Sequence, residues 1–168
     1  LNTTANGNNA FGHSALETNT TGAVNTAMGH RALTANTTAS NNTAYGAYAL
    51  TANTTGANNV AVGYEAGDAL IDADYNVAVG EGALGADTYG SNSTAIGRLA
   101  LAQQNFTSAT NSENTAVGYI AGYAVTTGTN NTLIGMASGD AITTGGSNTA
   151  VGTFSLSGNT TASNNTAV

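Results

Sequence analysis

Asn114-Thr115-Ala116-Val117-Gly118 decides the fold, because variants of it recur along the whole chain. The glycines that close these copies are Gly12, Gly29, Gly46, Gly63, Gly80, Gly97, Gly118, Gly135 and Gly152. Their spacing is 17 residues, except for 21 between Gly97 and Gly118. A tenth copy is cut at Thr166-Ala167-Val168. A fixed period of this length is the signature of a solenoid or array. Positions below are numbered from the anchor glycine, which is position 0.

Position −4 is Asn8, Asn25, Asn42, Asn59, Asn76, Asn114, Asn131, Asn148 and Asn165, with Ser93 in the remaining copy. Position −2 is Ala in every copy but one, which has Leu133. Position −1 is Val, Ile or another large apolar residue, from Phe11 to Val168. Position +3 is Ala or Ser and position +4 is Leu or Gly. Threonine pairs such as Thr37-Thr38 and Thr54-Thr55 follow. The triplet before the glycine is short, partly β-branched and bounded by turn formers, which suits a strand. The glycine suits a corner with positive φ or close backbone approach, and the Thr-Thr-Gly stretch suits a return turn. Stacked asparagines can bond along the axis. No 3.6-residue apolar period survives this density of Gly, Asn and Thr, so a helical reading fails.

The sequence therefore predicts an all-β, parallel β-solenoid (β-roll) of about ten 17-residue coils, with two short strands and two turns per coil. Coils would stack at about 4.8 Å to give a rod roughly 45–50 Å long. Residues 1–168 form one array, and the four extra residues between Gly97 and Gly118 should bulge as a loop within Gln103–Glu113. The chain begins at Leu1 and stops at Val168, so it reads as a piece of a longer fibre. Adjacent strand residues point to opposite faces, so the −2 and −1 columns face opposite ways although both are apolar. One face can fill the coil; the other needs a second buried surface, and a parallel homotrimer would supply it. A hexapeptide left-handed helix would need an aliphatic residue every six positions. Six after the −1 column stand Thr34, Thr51, Asp68, Gly85, Tyr123 and Asp140, which are not aliphatic.

Composition agrees with a fold held by ladders. Hydrophobic residues are 40% of the chain, but 32 of them are Ala. Ordering one backbone residue costs about 1–2 kcal/mol, and burying one Val or Leu returns about 1.5–3 kcal/mol. One or two large apolar side chains per coil cannot carry the fold alone. The net charge of −7, with Arg31 and Arg98 the only Lys or Arg, argues against nucleic acid or an anionic membrane as partner. No cysteine means no disulfide framework. No apolar run approaches membrane-spanning length. The Asn-, Thr- and Ser-rich, thiol-free composition fits an extracellular surface.

Asn114-Thr115-Ala116-Val117-Gly118 and its siblings resemble the Ser-Val-Ala-Ile-Gly head repeats of trimeric autotransporter adhesins of the YadA-like type, with Thr in place of the first Val. That resemblance implies a trimeric, left-handed parallel β-roll with a collagen- or cell-binding surface, although the family's coil is shorter than 17 residues. The longer stretch from Asn42 to Gly56 is similar to the repeats of phage-type tail fibre proteins and related bacterial surface proteins. Those often end in a self-cleaving chaperone domain, and no such domain falls within these residues. The resemblance spans essentially the whole chain and is specific for architecture rather than ligand.

Candidate chemistry is sparse. His13 and His30 follow successive anchor glycines and would stack about 5 Å apart. They are metal candidates, set against two polar residues on a solvated face. Asp72 and Asp74, near Asp68, form an acidic cluster with far fewer ligands than a calcium loop, set against a solvated irregular turn. No cofactor is expected. Catalysis needs a convergent nucleophile, base and orienting group, and a repetitive coil offers parallel ladders instead. Tyr64 and Tyr119 share the His column and could stack on sugars, set against ordinary packing. Ice-binding solenoids present flat Thr planes. Neighbouring threonines such as Thr54-Thr55 would point to opposite faces of a strand, so they do not make one. Asn-x-Thr triplets such as Asn36-Thr37-Thr38 match a glycosylation pattern that this composition generates by default. The expected function is a structural and adhesive segment of a trimeric extracellular fibre, either a phage tail fibre or a bacterial adhesin. Its partners would be itself and possible host-surface glycan or matrix protein, with no nucleic acid and no direct membrane contact. A self-assembling filament without ligand is the alternative reading, and an ice-binding solenoid a minor one.

Overall fold

A computed structural model describes residues 5–168. Leu1 lies outside the described residues. Twelve short strands follow one another: β1 (Asn9–Phe11), β2 (Thr26–Met28), β3 (Thr43–Tyr45), β4 (Val60–Val62), β5 (Val77–Val79), β6 (Gly90–Ser91), β7 (Thr94–Ile96), β8 (Thr110–Asn111), β9 (Thr115–Val117), β10 (Thr132–Ile134), β11 (Thr149–Val151) and β12 (Thr166–Ala167). Ten of them form one parallel sheet in the order β1-β2-β3-β4-β5-β7-β9-β10-β11-β12. The register repeats the period: Ala27 pairs with Ala44, Ala44 with Ala61, and Ala61 with Ala78. Where the coil is longer, Ala95 still pairs with Ala116. The chain is a parallel β-solenoid of about nine turns, with no helix among the described residues.

Two strands per coil is the one expectation about the elements that fails. Only β6 and β8 form a second, two-stranded sheet, in the coils around the insertion. Elsewhere the second wall has left-handed residues that break an extended strand. Leu33, Leu50 and Leu101 at +4 have φ of 50°, 50° and 49°. Coil-to-coil hydrogen bonds persist there, for example Leu33 N–H to Ala49 O and Ala35 N–H to Thr51 O. The Thr-Thr-Gly corner wraps one carbonyl of the next coil. Ile71 O accepts from Thr54 N–H, Thr55 N–H and Gly56 N–H, and also from the Thr54 hydroxyl.

The anchor glycines need both freedoms that glycine offers. Gly46 has φ +139°, and a Cβ there would sit 2.3 Å from Gly63 O, inside the backbone of the next coil. The −2 alanines face inward and from Ala27 to Ala150 are fully buried or nearly so. The −1 column therefore faces outward, which settles the assignment of the two faces.

Inside, nearly every coil supplies a large aliphatic side chain from +4 or +7, and Leu133 adds one from −2. Leu33, Leu50, Leu84 and Leu101 supply it from +4, and +7 is then Asn36, Asn53, Asp87 or Gln104. Where +4 is Gly67, Gly122 or Gly139, the aliphatic comes from +7 as Leu70, Val125 or Ile142. A Cβ on Gly67 would meet Leu70 Cδ1 at 3.0 Å, and one on Gly139 would meet Ile142 Cδ1 at 2.9 Å. The two positions compete for one volume, as a close-packed interior requires. A leucine in the left-handed region costs about 1–2 kcal/mol, which its burial of about 1.5–3 kcal/mol offsets.

The rest of the interior is polar and bonded. At −4, Asn59 Nδ2 donates to Ala73 O at 2.6 Å, and its Oδ1 accepts from the Asn76 backbone N–H at 2.9 Å. The expected axial Asn ladder thus runs mainly from side chain to backbone. Direct amide contacts join it in later coils, such as Asn148 Nδ2 to Asn131 Oδ1 at 3.1 Å. A second ladder, which the sequence reading missed, runs through +7: Asn36 Nδ2 donates to Asn19 Oδ1, and Asn53 Nδ2 to Asn36 Oδ1. It stops at Leu70, and Asn53 Oδ1 is left buried without a partner.

The long coil bulges within the expected segment. Phe106 turns inward and is buried, while Thr107, Ser108 and Ala109 are exposed. Beneath it the buried Asp87 carboxylate accepts from Gly90 N–H, Phe106 N–H and Gln104 Nε2. Ser93 and Ser112 hydroxyls lie 2.7 Å apart beside Gln104. This bonded polar cluster fixes the loop's exit and return, so the stack continues through it.

Candidate functional site

The outer face of the ten-stranded sheet is a continuous row of position −1 side chains. It runs from Phe11 through Met28, Tyr45, Ile96, Ile134 and Val151, each more than a third exposed. Strand spacing brings a new side chain to this row about every 4.8 Å. The −3 residues, mostly Thr, share this face. A shallow depression lined by Asn8, Asn9, Ala10, Phe11, Thr26 and Met28 lies where the row begins.

The corner after each glycine is the second feature. At +2 the backbone is left-handed in every coil, with φ from 50° at Ile120 to 62° at Tyr48. Each +2 N–H donates to the +1 carbonyl of the preceding coil, as Arg31 does to His13 O and Tyr48 to His30 O, both at 2.9 Å. The corner is thus held mainly by backbone, joined at Ser14 O and Arg31 O by the Thr34 hydroxyl, and its side chains vary. His13 and His30 stack with ring centroids 5.4 Å apart. His30 meets Tyr48 edge-on at 5.1 Å, and Tyr48 meets Tyr64 edge-on at 6.0 Å. Further along, exposed Arg98 pairs with Glu81 at 3.1 Å and lies over the Tyr119 ring at 5.8 Å. The Glu65 carboxylate beside Tyr64 bonds its phenol and raises that phenol's pKa.

The structure brings His13 and His30 together, but no group of three or more His, Cys, Asp or Glu is placed to hold a metal among the described residues. Asp72 accepts from the Thr55 hydroxyl at 2.7 Å. Asp74 accepts from Ala57 N–H at 2.6 Å. Ser40 and Ser91 do the same for Ala23 and Asp74 N–H, so Asp74 stands in a capping column rather than a ligand shell. Asp68 is half-buried, and desolvation together with the Glu65 charge raises its pKa to about 6. Tyr64 and Tyr119 are each about half exposed but do not share a platform, since each ring engages its own neighbour. The corner's left-handed +2 column could not be read in advance, because Arg, Tyr, Glu and Ile are not residues that signal it. Among the described residues no helix is long and apolar enough to cross a membrane.

Comparison with protein-family models, with curated proteins and with solved structures returned no match.

Proposed function

We propose that this chain is a structural and adhesive segment of an extracellular fibre, of phage tail-fibre or bacterial-adhesin type, in which three parallel copies wind left-handed and meet along the −1 row. It spaces or presents receptor-binding surface and carries no catalytic role. One observation carries the reading. The coil interior is already filled by the −2, +3, +4 and +7 columns, yet a second apolar row runs uncovered along the rod. Monomeric soluble proteins rarely leave a long contiguous apolar patch in water. The row is one large side chain wide per coil, so it suits a narrow axial contact among three chains better than a broad two-sheet sandwich. The YadA-like and tail-fibre resemblance of the repeats supports the same assembly and location.

Sedimentation equilibrium tests it. The expected mass is three times the 16.4 kDa chain, and Ile134→Glu with Val117→Glu should yield monomer that keeps its β spectrum. A wild-type chain that stays monomeric at tens of micromolar would overturn the assembly. Continued growth of scattering with concentration would favour the alternative, an end-to-end filament joined through the sheet's terminal strands.

A further inference from the structure

The internal copies separate what the fold needs from what it tolerates. The left-handed +12 corner is Asn in five coils (Asn41, Asn58, Asn92, Asn130, Asn164), the side chain best suited to that backbone, and Val24, Tyr75, Glu113 or Ser147 in the others. The left-handed +4 position is Gly or a leucine that fills the core. Position +2 is equally left-handed, yet glycine occupies it only once, at Gly82. Arg31 and Phe154 take the strained conformation while exposed to solvent, and Ile120 takes it despite branching at Cβ. No core burial compensates Arg31. The backbone of Arg31 serves the coil, with its N–H on His13 O and its carbonyl accepting from the Thr34 hydroxyl, but the exposed side chain does not, and that leaves it for contacts outside the molecule.

The chemistry at this corner narrows the contact. The chain has two Lys or Arg residues, and both lie on this corner. Arg98 is tied to Glu81, whereas Arg31 forms no ion pair with a described residue. Around Arg31 stand the stacked His13 and His30, with the Ser14 hydroxyl 3.2 Å from His13 Nδ1. Tyr48 and Tyr64 continue the ring ladder on the next coils. A guanidinium fork suits a carboxylate or phosphate. Ring faces and edges in a row suit the CH faces of sugars. Glu65 and Glu81 lie beyond Tyr64 along the corner and would repel a second negative charge.

We propose that the corner at His13, Ser14, His30, Arg31, Tyr48 and Tyr64 binds an oligosaccharide ending in one carboxylated sugar. The carboxylate sits on Arg31, and the neutral sugars run along the axis past Tyr48 toward Tyr64. This deepens the adhesive reading and rests on it for the existence of a ligand, but not on trimer formation, which sedimentation of the same sample reports separately.

Amide chemical shifts of the labelled protein, titrated with 3′-sialyllactose, a glucuronic-acid-terminated trisaccharide, lactose and inorganic phosphate, test the site. At least one acidic sugar should produce saturable shifts confined to residues near 12–14, 29–31, 46–48 and 63–65, at least tenfold tighter than lactose or phosphate. Arg31→Gly should weaken that binding at least tenfold without lowering the melting temperature, since glycine relieves the corner. Arg31→Gln should weaken it while the strain remains. The absence of saturable shifts with both acidic sugars would overturn the site even if the protein is trimeric. An equal response to phosphate or lactose, or unchanged binding by Arg31→Gly, would also overturn it.

Discussion

Exchanging the large side chain between +4 and +7 in one central coil should cost far less than either half of the exchange made alone. Leu70→Asn alone removes a fully buried leucine and puts an amide in its place. Deleting such a side chain costs about 2–5 kcal/mol. Gly67→Leu alone places a Cβ 3.0 Å from Leu70 Cδ1 and 3.2 Å from Leu50 Cδ2, before the rest of the side chain is added. Overpacking costs about 1–3 kcal/mol, and a leucine at φ +57° adds about 1–2 kcal/mol. The double variant copies the preceding coil, where Leu50 and Asn53 already coexist. The amide introduced at position 70 can donate to the unpartnered Asn53 Oδ1, which moves the orphaned oxygen one coil along. Only the left-handed leucine remains as a cost, so the double variant should lie within about 1–2 kcal/mol of the parent. The coupling should then be at least about 3 kcal/mol, the upper end for contacting residues. Urea unfolding followed by far-ultraviolet circular dichroism, with the m-value checked for constancy, measures all four corners of the cycle. Additive losses would refute the shared-volume account of the core.

The other expectations are more direct. Gly46→Ala should cost more than about 3 kcal/mol, because φ strain adds to a Cβ 2.3 Å from Gly63 O; Gly158→Ala, with nothing within 4 Å, should leave the urea midpoint nearly unchanged. Asn59→Ala should cost about 2–6 kcal/mol by orphaning the Asn76 N–H and Ala73 carbonyl, and native-state hydrogen exchange should quicken most at Asn76. Asp68→Asn should stabilise the protein by at most about 1–2 kcal/mol, discounted for partial exposure. The sign follows from a folded pKa near 6, above that of the unfolded carboxyl. The native Asp68 is fully compatible with the fold below about pH 4 and becomes unfavourable as pH rises through 6, so the gain should appear in melts at pH 7.5 and vanish at pH 3.5. Arg98→Gln should leave the melting temperature unchanged, since its ion pair with Glu81 is half exposed.

The sequence reveals what repeats and hides what repetition does not determine. The anchor glycines fix the period, Thr-Ala-Val fixes the strand, and the 21-residue gap locates the bulge that Phe106 closes. Alternation shows that Ala116 and Val117 face opposite ways, but either could fill so thin a coil, and only closure of the second wall puts Ala116 inside. That wall was expected to be a strand. It is not, because left-handed residues such as Leu50 and Tyr48 interrupt it, and neither type announces that conformation. The +4 and +7 exchange was legible in principle: Gly67 with Leu70, Gly122 with Val125 and Gly139 with Ile142 can be found by comparing the two columns pairwise. The His–Tyr ladder was half legible, since His13 and His30 share a column, whereas Tyr48 stands one position over and joins them only through the turn of the corner.

A solenoid also separates stability from recognition in a way that a globular core does not. Each residue has a counterpart one coil above and one below, so a column is constrained by whatever its own side chains do along the axis. Where side chains do the bonding, as Asn59 does for Asn76, a substitution breaks the ladder and the column stays uniform. At +2 the bonding from coil to coil is done mainly by backbone, from Arg31 N–H to His13 O and on to Phe154 N–H and Met136 O, with the Thr34 hydroxyl adding bonds to Ser14 O and Arg31 O. The side chain there is not needed for that bonding and projects from a backbone whose conformation is alike in every coil. Recognition chemistry can therefore change at this corner from coil to coil, at the cost of local strain and without breaking the backbone ladder, and the chain's histidines, arginines and three of its seven tyrosines gather there rather than on the uniform walls.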